Sequence, residues 1–254
     1  WAVPAVAGDT LFTNDGVEVA AWDRWTLVPL WKQATSNDDP DTPSFLDASS
    51  GMAIEQATRT LEDTSGVTVG SGVVIAVTGF ALSNARRSGD AGVHAYDPAT
   101  GGVLWNVDLA RLDRQLVDAS PRGPVLIVGD TAVLAADRFS TGRRLASSVL
   151  IGLDCSTGRL RWLRTLANMG LPPVGQMSRP ADQPTVADGV VYITDSLGVT
   201  AAVEATTGRF VWIHRYPGAL PDDTFHFFRR SDSLPWLGST VVVEDTTVLT
   251  VEPG

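Results

Sequence analysis

The chain has one cysteine, Cys155, among 254 residues, which excludes an intrachain disulfide and leaves the redox compartment open. Histidine is almost as scarce. His94, His214 and His226 are the only three, and no two stand at the His-x-x-x-His spacing that holds zinc. His94 and His214 read as satisfied strand residues. No run of about eighteen apolar residues occurs, so no segment reads as a membrane-spanning helix. Positive charge is also in short supply: 19 Lys and Arg against 29 Asp and Glu give a net charge of −10. A phosphate backbone calls for a basic surface, so nucleic acid is not an expected partner. Neither a Gly-x-Ser-x-Gly nucleophile elbow nor a phosphate-cradling loop is present. The acidic cluster Asp38 to Asp41 lacks the alternating carboxylate spacing of a calcium loop and reads as a solvated loop. No catalytic residue, metal ligand or cofactor-binding residue is therefore assigned, and the chain is expected not to be an enzyme.

What the chain does have is glycine, 24 residues, proline, 15, and a hydrophobic content of 44%. That composition suits an all-β, turn-rich globule. An 11-residue pattern recurs at Ala21 to Trp31, Ala95 to Trp105, Gly152 to Trp162 and Ala202 to Trp212. It reads small-x-acid-x-x-Thr-Gly-x-x-x-Trp. Thr at position 6 and Trp at position 11 hold in every copy. Self-similarity of this kind fixes architecture before any other signal. The acid, Asp97 or Asp154 in the best copies, accepts from backbone N–H groups two and three residues on and closes a turn. Gly101, Gly158 and Gly208 supply the positive φ of a tight reversal. Trp31, Trp105, Trp162 and Trp212 carry the largest apolar surfaces and are expected to lie buried between consecutive layers. Leu27 replaces the glycine in the first copy, so its turn is expected to be reshaped; Glu204 replaces the aspartate in the fourth.

Each copy follows a short strand, a tight turn and a second apolar strand, with lead-ins at Pro4, Thr68, Pro124, Pro184 and Pro235. The clearest unit has strands near 184–187, 190–196, 198–205 and 209–216. Four antiparallel strands per unit is the blade of a β-propeller. The motif resembles the tryptophan-docking motif of quinoprotein-like β-propellers. That group includes the pyrroloquinoline-quinone alcohol dehydrogenases and the non-catalytic lipoprotein propeller that assists outer-membrane protein assembly. The resemblance covers nearly the whole chain. It implies a single propeller domain over 1–254, with blades at roughly 1–33, 67–108, 124–166 and 184–216 and an incomplete blade at 235–254. Thr250 to Gly254 fit the first five motif positions. About four and a half blades are present, whereas the family closes with roughly seven or eight, so the chain is expected to be part of a longer ring or one completed by another chain.

The quinone enzymes of this group imply a calcium ion, a catalytic aspartate and an adjacent cysteine pair. The pair is missing here and no acid matches, so no quinone is expected. The assembly-factor branch implies instead a protein-interaction scaffold, periplasmic or otherwise in the cell envelope, whose partner is another protein or the remaining blades. The alternative is a sensor or regulatory propeller of a larger enzyme, or a degenerate dehydrogenase.

Candidate contacts lie in the loops. Trp31 to Trp105 spans 74 residues, Trp105 to Trp162 spans 57 and Trp162 to Trp212 spans 50, where a blade needs only about 40–45. The segment 217–235 brings Phe225, Phe227, Phe228, Arg229 and Arg230, types enriched at interfaces; these either contact a partner or cover the rim of their own propeller. Arg86 and Arg87 on one hairpin tip, with Arg138, Arg143 and Arg144 on the next, form a candidate basic patch for an anionic partner. Leu109 to Val117 reads as a short helix or irregular crossover, and 52–61 as a second short helix.

Overall fold

The computed structural model describes residues 4–15, 18–34, 66–78, 92–117, 119–140, 145–170, 184–195, 197–215, 241–244 and 247–249. They form four four-stranded antiparallel sheets and one hairpin. Blade 1 contains β1 (Ala5–Ala7), β2 (Thr10–Asn14), β3 (Glu18–Asp23) and β4 (Pro29–Ala34). Blade 2 contains β5 (Val67–Gly70), β6 (Val73–Thr78), β7 (Gly92–Tyr96) and β8 (Val103–Val107). Blade 3 contains β9 (Ala119–Val128), β10 (Thr131–Ser140), β11 (Leu145–Asp154) and β12 (Leu160–Gly170). Blade 4 contains β13 (Thr185–Ala187), β14 (Val190–Thr194), β15 (Val199–Glu204) and β16 (Phe210–Arg215). The strands of each blade pair in sequence order. This is the all-β propeller arrangement.

The middle strands show why these sequences stack as layers. Every residue of β6 is buried, and so is nearly all of β11. Side chains alternate between the faces of a strand, so one strand serves two joints. Val73, Ile75 and Val77 enter the core between blades 2 and 3. Val74 and Ala76 enter the core between blades 1 and 2. In the same way Ala132, Leu134 and Ala136 face blade 2, while Val133 and Ala135 face blade 4. Inner strands are also laced together by threonine. Thr68 Oγ1 donates to Val125 O at 2.5 Å and Thr185 Oγ1 to Val241 O at 2.6 Å.

Blade 3 is longer than the sequence suggested. Its strands run over 119–170, and β10 and β11 remain paired out to Ser140 and Leu145. Polar ties hold the extension. Arg122 Nε donates to Asp137 Oδ2 at 3.0 Å. Arg138 donates to Gln115 O at 2.9 Å and to Ser147 Oγ at 3.1 Å. Arg138 is thus a bonded strand residue and not part of a loose arginine tip. The crossover into blade 3 holds α1 (Leu109–Leu112), capped by Asp108, followed by a 3-10 turn, Arg114–Leu116, capped by Asp113. Leu109 and Leu116 anchor it in the core between blades 2 and 3.

The last described hairpin is β17 (Val242–Glu244) with β18 (Thr247–Leu249). It is the first and second strand of a fifth blade, because Thr185 of β13 bonds the residue just before β17. In blade 4 the motif opens at Ala202, well beyond β14, which begins at Val190. The lead-in at Pro235 to Thr240, like 250–254, lies outside the described residues. Among those described, β18 pairs only with β17.

Candidate functional site: the motif turns and the blade joints

Each motif joins the third strand of a blade to the fourth through the same turn. The acid's N–H donates to the carbonyl of position 8: Asp23 to Val28 O, Asp97 to Gly102 O, Asp154 to Arg159 O and Glu204 to Arg209 O, all at 2.8–2.9 Å. Position 7 N–H returns to the acid's own carbonyl at 2.8–2.9 Å in all four. In the aspartate copies the carboxylate adds three bonds at Asp23 and Asp97 and four within the turn at Asp154. Asp97 Oδ1 accepts from Ala99 N at 3.0 Å, Thr100 N at 2.8 Å and Thr100 Oγ1 at 2.9 Å. These donors stabilise the ionised form. The backbone N–H of Thr26 foremost holds Asp23 below the usual carboxylate range, and that of Thr100 does so for Asp97. Asp154 lies lower still, under the Ser156 hydroxyl, then Arg161 and Thr157. Glu204, with a longer stem, is held down by Arg209 and then Thr207.

A bulge then aims the tryptophan. Position 11 pairs with position 1 and position 9 with position 2, leaving position 10 extra in all four blades: Leu30, Leu104, Arg161 and Val211. Such an extra residue bends a strand and redirects the next side chain. It also explains why position 1 is small, since Ala21, Ala95, Gly152 and Ala202 lie opposite the indoles. In blade 3 the bulge residue Arg161 bonds Asp130 at 2.7 Å and Asp154 at 2.6 Å.

The tryptophans reach the next blade downstream. Trp31 Nε1 donates to Pro98 O at 2.9 Å, Trp105 Nε1 to Cys155 O at 2.8 Å and Trp162 Nε1 to Ala205 O at 2.9 Å. The acceptor is always position 4 of the following motif, and the indole lies on its position 7 glycine. A Cβ on Gly101, Gly158 or Gly208 would stand 2.6, 2.7 or 2.5 Å from the nearest ring carbon. These glycines also sit at φ +71°, +67° and +67°, so turn and neighbour both select glycine.

Two expectations change here. The turn of blade 1 is not reshaped: Leu27 takes φ +57° and keeps the same backbone bonds. Trp212 is 36% exposed, whereas Trp31, Trp105 and Trp162 are 6–9% exposed. The latter three are each covered by the next motif turn, and no described residue covers Trp212 in that way. Its ring contacts Tyr192 at 6.2 Å.

The remaining candidates are quickly placed. Phe225, Phe227, Phe228, Arg229, Arg230, Arg86, Arg87, Arg143 and Arg144 lie outside the described residues, as does the expected helix at 52–61. His94 stacks on Tyr96 at 6.3 Å, and burial pushes the Tyr96 hydroxyl up to about 12. Cys155 is buried, and burial raises its thiol to about 11. A quinone with calcium requires carboxylate and amide donors around the propeller axis. Of the described inner strands, β1, β5, β9 and β13 carry no carboxylate or amide side chain, and β17 (Val242–Glu244) carries Glu244. Among the described residues no group of three or more His, Cys, Asp or Glu could hold a metal ion.

The sequence family described as outer membrane protein assembly factor BamB matches residues 89–253, well over half of the chain. The chain belongs to that family. An outer membrane protein assembly factor BamB from Shewanella oneidensis is 30% identical over 120 residues, 47% of this chain and 27% of the relative. The crystal structure of BamB from Moraxella catarrhalis aligns with 98% of this chain and 53% of its own length, at a TM-score of 0.54 and 17% identity. The quinohemoprotein alcohol dehydrogenase from Comamonas testosteroni aligns with 84% of this chain and 34% of its own length, at 0.51 and 13%. At such identities the structural likeness speaks to the fold alone. The chain spans about half the length of the solved BamB. Among the described residues no helix is long and apolar enough to cross a membrane.

Two features escaped the sequence reading. The acceptor of Trp31, Trp105 and Trp162 is in each case a backbone carbonyl, which no letter marks. Trp25 was visible: it stands at position 5, where the other copies have Ala99, Ser156 and Thr206.

Proposed function

We propose that this chain belongs to a non-enzymatic protein-interaction scaffold of the cell envelope, engaged with outer-membrane protein assembly. The family match over 89–253 carries the reading. The joints support it, because sheets locked by buried tryptophans form a rigid body that presents loops and strand edges. Addition of a partner strand to an outer edge is a fitting mode; β12, with eleven residues, is the longest outer strand described. A second reading is kept by the likeness to quinohemoprotein alcohol dehydrogenases: a sensor or regulatory propeller of a larger enzyme, or a degenerate quinone-dependent dehydrogenase.

Isolation of the full-length protein from its own cells separates the two. The scaffold reading expects it in the envelope fraction, copurifying with outer-membrane assembly proteins, and without dye-coupled alcohol oxidation after quinone and calcium are added. Alcohol oxidation under those conditions, or absence from the envelope, defeats it.

A further inference from the structure

Positions 5 and 8 of the motif stay exposed even where the upstream blade is in place. Blade 2 has Ala99 and Gly102 there, blade 3 Ser156 and Arg159, and blade 4 Thr206 and Arg209, all exposed. These residues are small or polar. Blade 1 has Trp25 and Val28, 71% and 56% exposed. Blade stacking leaves these positions open in its three sisters, so a neighbouring blade does not account for the two large apolar side chains. Position 7 is different: its glycines are buried by the upstream tryptophan in blades 2, 3 and 4, so Leu27 belongs to the joint and not to this surface.

Trp25 is held in place before anything binds it. Its Nε1 donates to Asp9 Oδ1 at 3.1 Å. The Arg24 guanidinium carbon lies 4.3 Å from the ring centroid, and Arg24 Nη1 donates to Gly8 O at 3.0 Å. A fixed, exposed indole loses little freedom on contact, the property of an interface anchor. Arg24 has a backbone carbonyl and a ring as partners, and no carboxylate among the described residues. The guanidinium covers the indole face and the Asp9 carboxylate meets only its Nε1 edge, so Arg24 is the cation beside this apolar platform.

We propose that the Arg24–Trp25–Val28 surface of blade 1 docks a segment of a separate protein in which an apolar side chain is flanked by Asp or Glu. The apolar group covers Trp25 and Val28, and the carboxylate meets Arg24. The proposal rests on the scaffold reading and names one of its contact surfaces.

A photocrosslinking residue placed at Val28, Arg159 or Arg209 of the full-length protein, in its own cells, compares three equivalent positions. The expected result is a crosslink to another protein from position 28, at least about tenfold above the other two. The captured peptide contains Asp or Glu beside an apolar residue. Trp25→Ala or Arg24→Glu lowers the yield by about tenfold with unchanged melting, and Trp25→Phe retains it. Equal yields at the three positions, a crosslink within the chain or to a second copy, or indifference to Arg24→Glu overturns the proposal. If partners still copurify while position 28 is silent, this surface falls and the scaffold reading stands.

Discussion

The motif turns of blades 1 and 3 share their backbone bonds and differ in what lies on them. Asp23 and Asp154 each accept from the backbone and hydroxyl of the threonine three residues on, and position 7 is left-handed in both, at +57° for Leu27 and +67° for Gly158. Trp105 lies on Gly158, and no described tryptophan lies on Leu27. The acid and the backbone therefore suffice to close the turn. Glycine becomes indispensable when a neighbour's indole must pack there. The motif encodes two things at once, a turn and a socket; blade 1 keeps the turn and carries a leucine at the socket position.

The largest effect expected from this comparison is at the tryptophans. Trp162→Ala removes a buried ring and its bond to Ala205 and should cost about 3–5 kcal/mol. Trp212→Ala should cost clearly less, since its ring is partly in solvent. Urea unfolding of the two variants checks the order, and equal losses break the comparison. Next comes Gly158→Ala, which meets both the left-handed φ and the Trp105 ring. A loss of about 2–4 kcal/mol follows from backbone strain and overpacking together, with the Trp105 fluorescence shifted by displacement of the ring.

Acid should act on all four turns. The folded carboxylates of Asp23, Asp97, Asp154 and Glu204 lie below their ordinary values, so the folded state binds fewer protons than the unfolded one. Their stabilisation is present above the unfolded value of about 4 and is lost as pH falls through the folded values. Melting temperatures measured from pH 5 downward should decline, and Asp154→Asn should flatten the decline most, because Asp154 is the most strongly shifted. The smallest effect is expected at Leu27→Gly. It relieves a left-handed leucine at the cost of a freer unfolded chain, so stability should stay within about 1 kcal/mol of the native value. A loss greater than that would mean that Leu27 is covered by another part of the assembly.

Much of the architecture was legible because it is written four times. The Asp97 and Asp154 turns, the left-handed glycines and the four-stranded units all follow from letters in register. The direction of docking was not legible, since Pro98, Cys155 and Ala205 accept through main-chain oxygens and share no side chain. The exposure of Trp212 was hidden for a related reason: burial of a docking ring depends on the next turn, not on its own motif. The length of blade 3 was not legible because Arg138, which reads as a loop-tip charge, is paired in the sheet with Ser147 and Ala119, and its side chain bonds Gln115 O. The motif start expected at Thr250 to Gly254 lies outside the described residues, and the hairpin before it is set by pairing of 242–244 with 247–249.

The bulge-aimed tryptophan gives every joint a direction, with a key on the upstream blade and its lock on the downstream one. A duplicated copy of blade 2, 3 or 4 would bring a fitting lock at its front and a fitting key at its back, so the array can lengthen by gene duplication without inventing a new joint. Blade 1 keeps its own key, Trp31, and carries Leu27 at the lock position.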